Sequence, residues 1–185
     1  MTIEIRNTLD LLEATEKPKL ERVKLSYSLS ALAPVMGQGL MQLHYDKLYK
    51  GYVDRYNKGE GDKNFNEAGA YLHGIFFSQF KRPGLIKPVG RIDEIINLRH
   101  KNFIDFKEHF KEEALELTGS GWVYLSKSGD IKVIRNHAIR KDIAIIVDLW
   151  EHAWTGTYGT NKGKYIDNIW RIMDWHAINH RLATT

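Results

Sequence analysis

The chain has 185 residues, a formal net charge of +4 at pH 7 and no cysteine. This length is sufficient for one large domain or two small ones, and the lack of cysteine excludes disulfides, thiolate metal sites and cysteine nucleophiles. A reducing compartment such as the cytoplasm fits this composition. No run of about 18 apolar residues is present, so we expect no membrane-spanning segment. Acidic residues scattered between positions 2 and 24 predict that no signal peptide is present.

Residues 1–26 are predicted to form an N-terminal extension. Leu9, Leu11 and Leu12 indicate a short helix, which the sequence Glu16-Lys17-Pro18-Lys19 would end. We interpret the extension as a solvated tail.

Residues 39–57 predict a helix, because one stripe of residues recurs every four positions. The stripe consists of Leu40, His44, Leu48, Tyr52 and Tyr56. It directs His44 toward the apolar interior, and the Tyr52 hydroxyl leans back toward the surroundings of His44. A lone histidine on such a stripe is ordinarily a core residue, so the pattern alone leaves a metal-binding role open.

A second helix is predicted over residues 65–80, again from apolar residues at helical spacing. His73 lies within its apolar stripe. Only a short loop of glycine and charged residues separates the two helices, which predicts an antiparallel hairpin. Such a hairpin can bring His44 and His73 face to face.

Proline and glycine at residues 82–84 and 88–90 predict a domain boundary. We expect a helical hairpin domain over residues 27–86 and a C-terminal α/β domain over residues 87–185. The second part should contain helices and a small, mainly antiparallel three-stranded sheet, giving an α+β fold. The helices are predicted over residues 92–98, 102–117 and 161–174, and the strands over residues 119–125, 131–134 and 143–147.

The last predicted strand runs directly into Asp148-Leu149-Trp150-Glu151-His152. Asp148 and His152 are both good metal ligands, but in a continuing strand they would lie about 13 Å apart. One ion cannot reach both, because its bonds to ligands are only about 2 Å long. If they share a metal, the chain must leave the strand at Asp148 and turn tightly through His152. A capping aspartate beside a buried histidine is the alternative.

Several segments resemble the iron/manganese superoxide dismutases. D-L-W-E-H-A-W is similar to the family's D-x-W-E-H-A-Y, and L-H-Y-D-K-L-Y-K-G-Y-V is similar to H-x-x-K-H-H-x-x-Y-V. N-E-A-G-A-Y-L-H-G-I-F-F resembles N-x-A-G-x-x-x-H-x-x-F-W, and G-S-G-W-V-Y-L resembles G-S-G-W-x-W-L. The resemblance implies that the metal ligands are His44, His73, Asp148 and His152.

It also implies the activity, which is the dismutation of superoxide at one iron or manganese ion per subunit. Three imidazoles and one carboxylate suit such an ion. Tyr52 and His137 correspond to residues that act in catalysis, and Glu151 to one that joins the subunits of a homodimer. The ligands are expected to be surrounded by Gly69, Trp122, Tyr124 and Trp150. We expect neither nucleic acid nor a membrane as a partner.

The chain departs from the family pattern at three positions near the metal. His137 replaces a glutamine that usually holds metal-bound solvent, and Gly69 is the choice typical of manganese enzymes. Some archaeal members with such a histidine use iron, so we expect iron, with manganese as the alternative. We expect one ring nitrogen of His137 to donate to the solvent and the other to be solvated, a surface histidine being the alternative. Leu48 and Thr155 replace a histidine and a tyrosine at the entrance to the site, which implies a more open entrance.

Other functions fit parts of the pattern. A catalytically impaired, dismutase-like metal-binding structural dimer would be consistent with the changes at Leu48 and Thr155. Non-haem iron oxygenases also use two histidines and a carboxylate, but their sites usually lie in β-barrels, whereas this chain is mostly helical. A nucleic-acid-binding module would rest on the positive charge balance alone.

Overall fold

The computed structural model describes residues 18–84 and 87–184. The first helix, α1, has three consecutive segments: α-helical Gln38–Met41, π-helical Gln42–Tyr49 and α-helical Lys50–Lys58. The helices that follow are α2 (Lys63–Ser78), α3 (Arg91–His100), α4 (Phe103–Glu116), α5 (Thr155–Tyr158), α6 (Lys162–Ile169) and α7 (Trp175–Ala183). The strands are β1 (Gly121–Ser126), β2 (Ile131–Arg135) and β3 (Ile143–Asp148). In these two ranges, no helix combines the length and the apolar character needed to cross a membrane.

The predicted helical hairpin is confirmed. Helix α1 ends at Lys58, and its C-cap Gly59 has a φ of 70°, the left-handed conformation that favours glycine at a helix end. Helix α2 begins three residues later, at an N-cap that Asp62 provides by accepting a hydrogen bond from the Phe65 amide at 2.8 Å. This short connection turns the two helices back on each other.

The middle of α1 was predicted as regular α-helix but is π-helical, and it carries His44. A π-helix bonds residue i to i+5, so its side chains are rotated relative to an α-helix. Tyr49, which is off the predicted stripe, is therefore buried together with His44. The four-residue periodicity alone gave no indication of this change.

The sheet has the strand order β2-β1-β3, and both strand pairs are antiparallel. The predicted three-stranded sheet is thus confirmed. Every residue of β1 and β3 is buried, which explains why β3 reads as an uninterrupted apolar run rather than an alternating one. In this register Trp122 of β1 lies opposite Asp148 of β3.

The outer edge of β3 is covered by the side chain of Gln79, which is fully buried. Its amide nitrogen donates to the Ile146 carbonyl, and its amide oxygen accepts from the Ile146 N–H at 3.2 Å. From α7, Arg181 donates to the Ala144 carbonyl. These side chains supply the hydrogen bonds that a fourth strand would otherwise make.

Two sequence predictions need correction. The solvated-tail interpretation is wrong for residues 18–26, since the Leu20 amide donates to Asn57 at 2.8 Å and Arg22 pairs with Asp46 at 3.3 Å. The short helix expected around residues 9–12 lies outside the described residues. The last predicted helix, residues 161–174, is in fact interrupted. Helix α6 ends at Ile169, a 3-10 turn follows, and Asp174 caps α7 by accepting from the amides of residues 176 and 177.

Candidate metal centre

Four side chains that are distant in sequence meet where the hairpin packs against the sheet. His44 comes from the π-helical part of α1, His73 from α2 and Asp148 from the end of β3, while His152 lies in a 3-10 turn spanning Glu151–Ala153. One ligand atom from each lies within 4.8 Å of the others. The chain therefore leaves the strand after Asp148 and turns tightly, as a shared site requires.

Asp148 Oδ2 lies at the centre of this cluster. It is 3.2 Å from His44 Nε2, 3.6 Å from His73 Nε2 and 3.5 Å from His152 Nε2. Despite these short distances, none of the four atoms has a hydrogen-bond partner among the described residues, although all are buried. Two ligands bonded at about 2.1 Å to one ion lie roughly 3 to 3.6 Å apart at angles of 90 to 120°. The spacing thus matches donors arranged around a single ion.

The electrostatics favour the protonation states that bind metal. Burial lowers the pKa of His44, and it holds the pKa of His73 well below its usual range. Burial alone would raise the pKa of Asp148, but the facing histidines, His152 and His44, keep it well below its usual value. His44 and His73 therefore present neutral imidazoles and Asp148 an ionised carboxylate, the forms that coordinate a metal.

Two of the ligands, His73 and Asp148, are oriented by their second polar atoms. His73 Nδ1 lies 2.7 Å from the Gly69 carbonyl, a contact that places the proton on Nδ1 and leaves the Nε2 lone pair facing the cluster. Asp148 Oδ1 accepts from the Trp150 amide at 2.8 Å, which leaves Oδ2 for the cluster.

Gly69 has a steric role as well. A Cβ atom at this position would lie 2.7 Å from Cδ1 of Tyr52, so the tyrosine ring occupies the space that a side chain would need. The ring of Tyr52 lies 5.2 Å from that of His73, centroid to centroid. Because Gly69 has no side chain, the ring of Tyr52 can pack against α2 beside the cluster.

His137 joins Tyr52 in a hydrogen-bonded network. Its Nε2 lies 2.9 Å from the Tyr52 hydroxyl, and its Nδ1 lies 3.1 Å from Trp122 Nε1. An indole nitrogen can only donate, so Nδ1 must be the acceptor and the neutral ring carries its proton on Nε2. The expectation that one nitrogen would be solvated is therefore wrong: both have protein partners. Burial lowers the pKa of His137 to about 4 and raises that of Tyr52 to about 12.

The remaining predicted residues lie at different distances from the cluster. Trp150 stacks on His137, with centroids 4.8 Å apart and an interplanar angle of 19°. Tyr124 shares a strand face with Trp122, but its hydroxyl donates to Asp142 at 3.2 Å and so is directed at that carboxylate. Glu151 is exposed and lines a surface cleft of about 460 Å³ together with His152.

Sequence reasoning missed three aromatic neighbours of the ligands and of His137. Tyr49 stacks on His73 at 5.6 Å, Phe77 contacts His44 at 4.9 Å, and Phe65 lies 4.7 Å from His137. Phe65 and Phe77 belong to the apolar pattern of α2, but that pattern does not indicate what they face. Tyr49 could be found only from the π-helical geometry of α1.

The chain matches two family models. Residues 19–64 match the alpha-hairpin domain of the iron/manganese superoxide dismutases, and residues 88–181 match the C-terminal domain of the same proteins.

Individual relatives give the same result. A protein of Bacillus subtilis named probable superoxide dismutase (Fe) is 31% identical, over 85% of this chain and 66% of its own length. The superoxide dismutase (Fe) of Pyrobaculum aerophilum is 31% identical over 85% of this chain and 89% of its own length. The superoxide dismutase (Mn/Fe) of Porphyromonas gingivalis is 32% identical over 87% and 98%, respectively.

Proposed function

The chain belongs to the iron/manganese superoxide dismutase family, and from this premise we propose that it converts two superoxide radicals and two protons into dioxygen and hydrogen peroxide. The observation that carries the proposal is the convergence of three imidazole nitrogens and one carboxylate oxygen, all buried and all without a hydrogen-bond partner in the part of the chain that the structure describes. Buried polar atoms of this kind are costly unless a ligand satisfies them. A metal ion coordinated by all four would do so.

We propose that His44, His73, Asp148 and His152 hold one iron ion per subunit, with manganese as the alternative. Relatives carrying the names Fe and Mn/Fe support this pair of metals. When bound, such an ion would supply the one-electron exchange with each superoxide. The protein fixes the protonation of the ligands and excludes bulk water, since the side chains of His44, His73 and Asp148 have no exposed surface.

The protein's contribution to proton supply centres on Tyr52. Because His137 donates its single N–H to the Tyr52 oxygen, the hydroxyl proton of Tyr52 remains available to another acceptor. Tyr52 therefore holds a mobile proton beside the cluster, and His137 orients it. In this proposal Tyr52 is the proton donor and His137 positions it, whereas the resemblance implied that His137 donates directly to the metal-bound solvent. Trp122, Trp150 and Gly69 keep these two residues in place.

A homodimer is part of the proposal. Glu151 is exposed next to His152, whose side chain is 18% exposed. His152 Nε2 faces Asp148, and within residues 18–84 and 87–184 its other ring nitrogen has no hydrogen-bond partner. Glu151 from a second copy would satisfy that nitrogen, and the exchange would be reciprocal in a twofold dimer.

The remaining elements of the proposal concern its setting. A cytoplasmic location agrees with the lack of cysteine. We propose no nucleic-acid or membrane partner. The division into a hairpin domain over residues 27–86 and a C-terminal domain over residues 87–185 also remains a proposal, as does the wider entrance inferred from Leu48 and Thr155.

A catalytically impaired metal-binding dimer is not favoured. The full ligand set is assembled, and the relatives are named as superoxide dismutases. This alternative would give a metal-loaded protein that does not consume superoxide.

The test combines metal analysis with a superoxide-consumption assay. The wild type should contain about one iron or manganese per chain and be active, whereas His73→Gln and Asp148→Asn should lose both properties. His176→Ala is the matched control, because His176 is exposed on α7. Stoichiometric metal in both ligand variants would contradict the assigned site. An inactive wild type with full metal content would contradict the activity.

A further inference from the structure

Arg55 is held against Tyr52 at the end of α1. Its guanidinium carbon lies 4.9 Å from the centroid of the tyrosine ring, which is a cation-π distance. Its Nε donates to Oδ1 of the buried Asn66 at 3.0 Å, and this bond anchors the side chain. Gly51 leaves the room for it, since a Cβ there would lie 2.9 Å from Arg55 Nη1.

This guanidinium has no carboxylate partner among the described residues of the chain. Arg22 offers a direct comparison, because it also lies over a tyrosine of α1, at 4.5 Å from the ring of Tyr45. Arg22, however, is paired with Asp46 at 3.3 Å. Arg55 therefore keeps a fixed and unneutralised positive charge, half-buried and still in contact with solvent.

The charge lies close to the candidate metal centre. One step of 4.9 Å leads from the guanidinium to the Tyr52 ring, and a second of 5.2 Å leads from that ring to His73. The combined length of these two steps is comparable with the Debye length of about 8 to 10 Å at moderate salt. Salt therefore does not fully screen the interaction between the Arg55 charge and an anion at the site. A fixed positive charge at this distance raises the local concentration of anions around the site.

We propose that Arg55, seated on the face of Tyr52, forms a subsite for small monovalent anions on the approach to the metal centre. Superoxide is such an anion, so the subsite would capture the substrate and guide it past Tyr52. The inference rests on the proposed function for the identity of its substrate. The Arg55 subsite would attract superoxide without the histidine and tyrosine that the family resemblance places at the entrance, where this chain has Leu48 and Thr155.

The test compares an anion with a neutral molecule of similar size. In the iron-loaded protein, the association of azide with the oxidised iron and of nitric oxide with the reduced iron can be followed by stopped-flow absorbance. Arg55→Gln should slow azide association about three- to tenfold at low salt, and the difference should shrink as salt rises. Nitric oxide association should not change, because it carries no charge. The rate constant kcat/KM for superoxide should follow azide.

Two further variants sharpen the comparison. Arg22→Gln removes an arginine from a similar position, but one that is already paired with a carboxylate, and should leave azide association unchanged. Arg55→Lys keeps the charge without the planar guanidinium and should retain most of the rate.

Equal azide rates in the wild type and Arg55→Gln would overturn the inference. A parallel fall in nitric oxide association would also overturn it, since Arg55 would then be shaping the approach rather than attracting anions. If the iron-loaded wild type binds azide but does not consume superoxide, the proposed function fails while the anion subsite stands.

Discussion

At the scale of single residues, hydrogen bonds from neighbouring side chains determine where protons lie around the ligands. His137 is the clearest example, because both of its ring nitrogens are engaged by Trp122 and Tyr52. Glutamine could donate two hydrogens from one nitrogen, but a neutral imidazole has only one N–H to offer. Under the proposed function, the histidine therefore leaves the Tyr52 hydroxyl as the proton donor beside the cluster.

The buried, neutral state of His137 predicts a pH-dependent stability. The unfolded chain protonates this residue near pH 6.5, whereas in the folded chain its pKa is lowered to about 4. The unfolded state therefore binds more protons between these values, and stability is lost as the pH falls from 6.5 toward 4. Between about pH 7.5 and 5, the metal-free wild type should lose roughly 2 kcal/mol more than His137→Gln. Urea unfolding of both proteins at the two pH values measures this difference.

Other buried histidines titrate in both proteins, so only the difference between them reports on His137. Equal losses of stability would show that His137 is readily protonated in the folded protein. The neutral hydrogen-bonded ring, and the proton assignment to Tyr52 that depends on it, would then be wrong.

At the scale of secondary-structure elements, β3 depends on a side chain from outside the sheet. Gln79 satisfies both the N–H and the carbonyl of Ile146. Gln79→Leu would bury these two groups without partners, each costing about 1–3 kcal/mol. We expect the free energy of unfolding to fall by roughly 2–4 kcal/mol in urea titrations. Gln42→Leu, at an exposed position of α1, should change it by less than about 0.5 kcal/mol. A similar small change for Gln79→Leu would show that the edge bonds contribute little.

The elements that could be predicted are those with a strong local pattern. Helical periodicity identified the hairpin and directed His44 and His73 inward, and a β-branched apolar run identified β3. The requirement that Asp148 and His152 share an ion predicted the tight turn between them. Each of these follows from spacing within one short segment.

The missed features depend on contacts between distant segments. The π-helical turn in α1 leaves no trace in the four-residue pattern. The packing of residues 18–26 involves Asn57 and Asp46, which local composition does not reveal. The start of α7 had a local signal, because Asp174 is a residue type that caps helices and it accepts from the amides of residues 176 and 177. The apolar pattern nevertheless continues from α6 to Asp174, so the interruption was not predicted. Nothing in the local sequence around Gln79 indicates that its side chain covers the edge of β3.

At the scale of the whole molecule, the exposed Glu151 beside His152 predicts a twofold dimer. A carboxylate from the second subunit would accept a charge-assisted hydrogen bond from His152, worth about 1.5–3 kcal/mol. Glu151→Ala should therefore raise the dimer dissociation constant by at least tenfold in sedimentation velocity experiments, and it should weaken metal retention. Glu112→Ala removes an exposed carboxylate from α4 and should leave both unchanged. A wild type that sediments as a monomer at micromolar concentration would contradict the prediction.

The ligand set also has a mechanical consequence for a chain without cysteine. Its four donors come from α1, α2, β3 and the turn that follows, so an ion bound to all of them would tie residue 44 to residue 152. Such a tie joins distant segments, as a disulfide does in an extracellular protein, but it stabilises the folded state through the free energy of metal binding rather than by restricting the unfolded chain. Unlike a disulfide, it persists in a reducing environment and forms only when the hairpin is packed on the sheet. Metal binding would then stabilise the packing of the helical hairpin on the sheet. The same four residues would serve both redox chemistry and the stability of the fold.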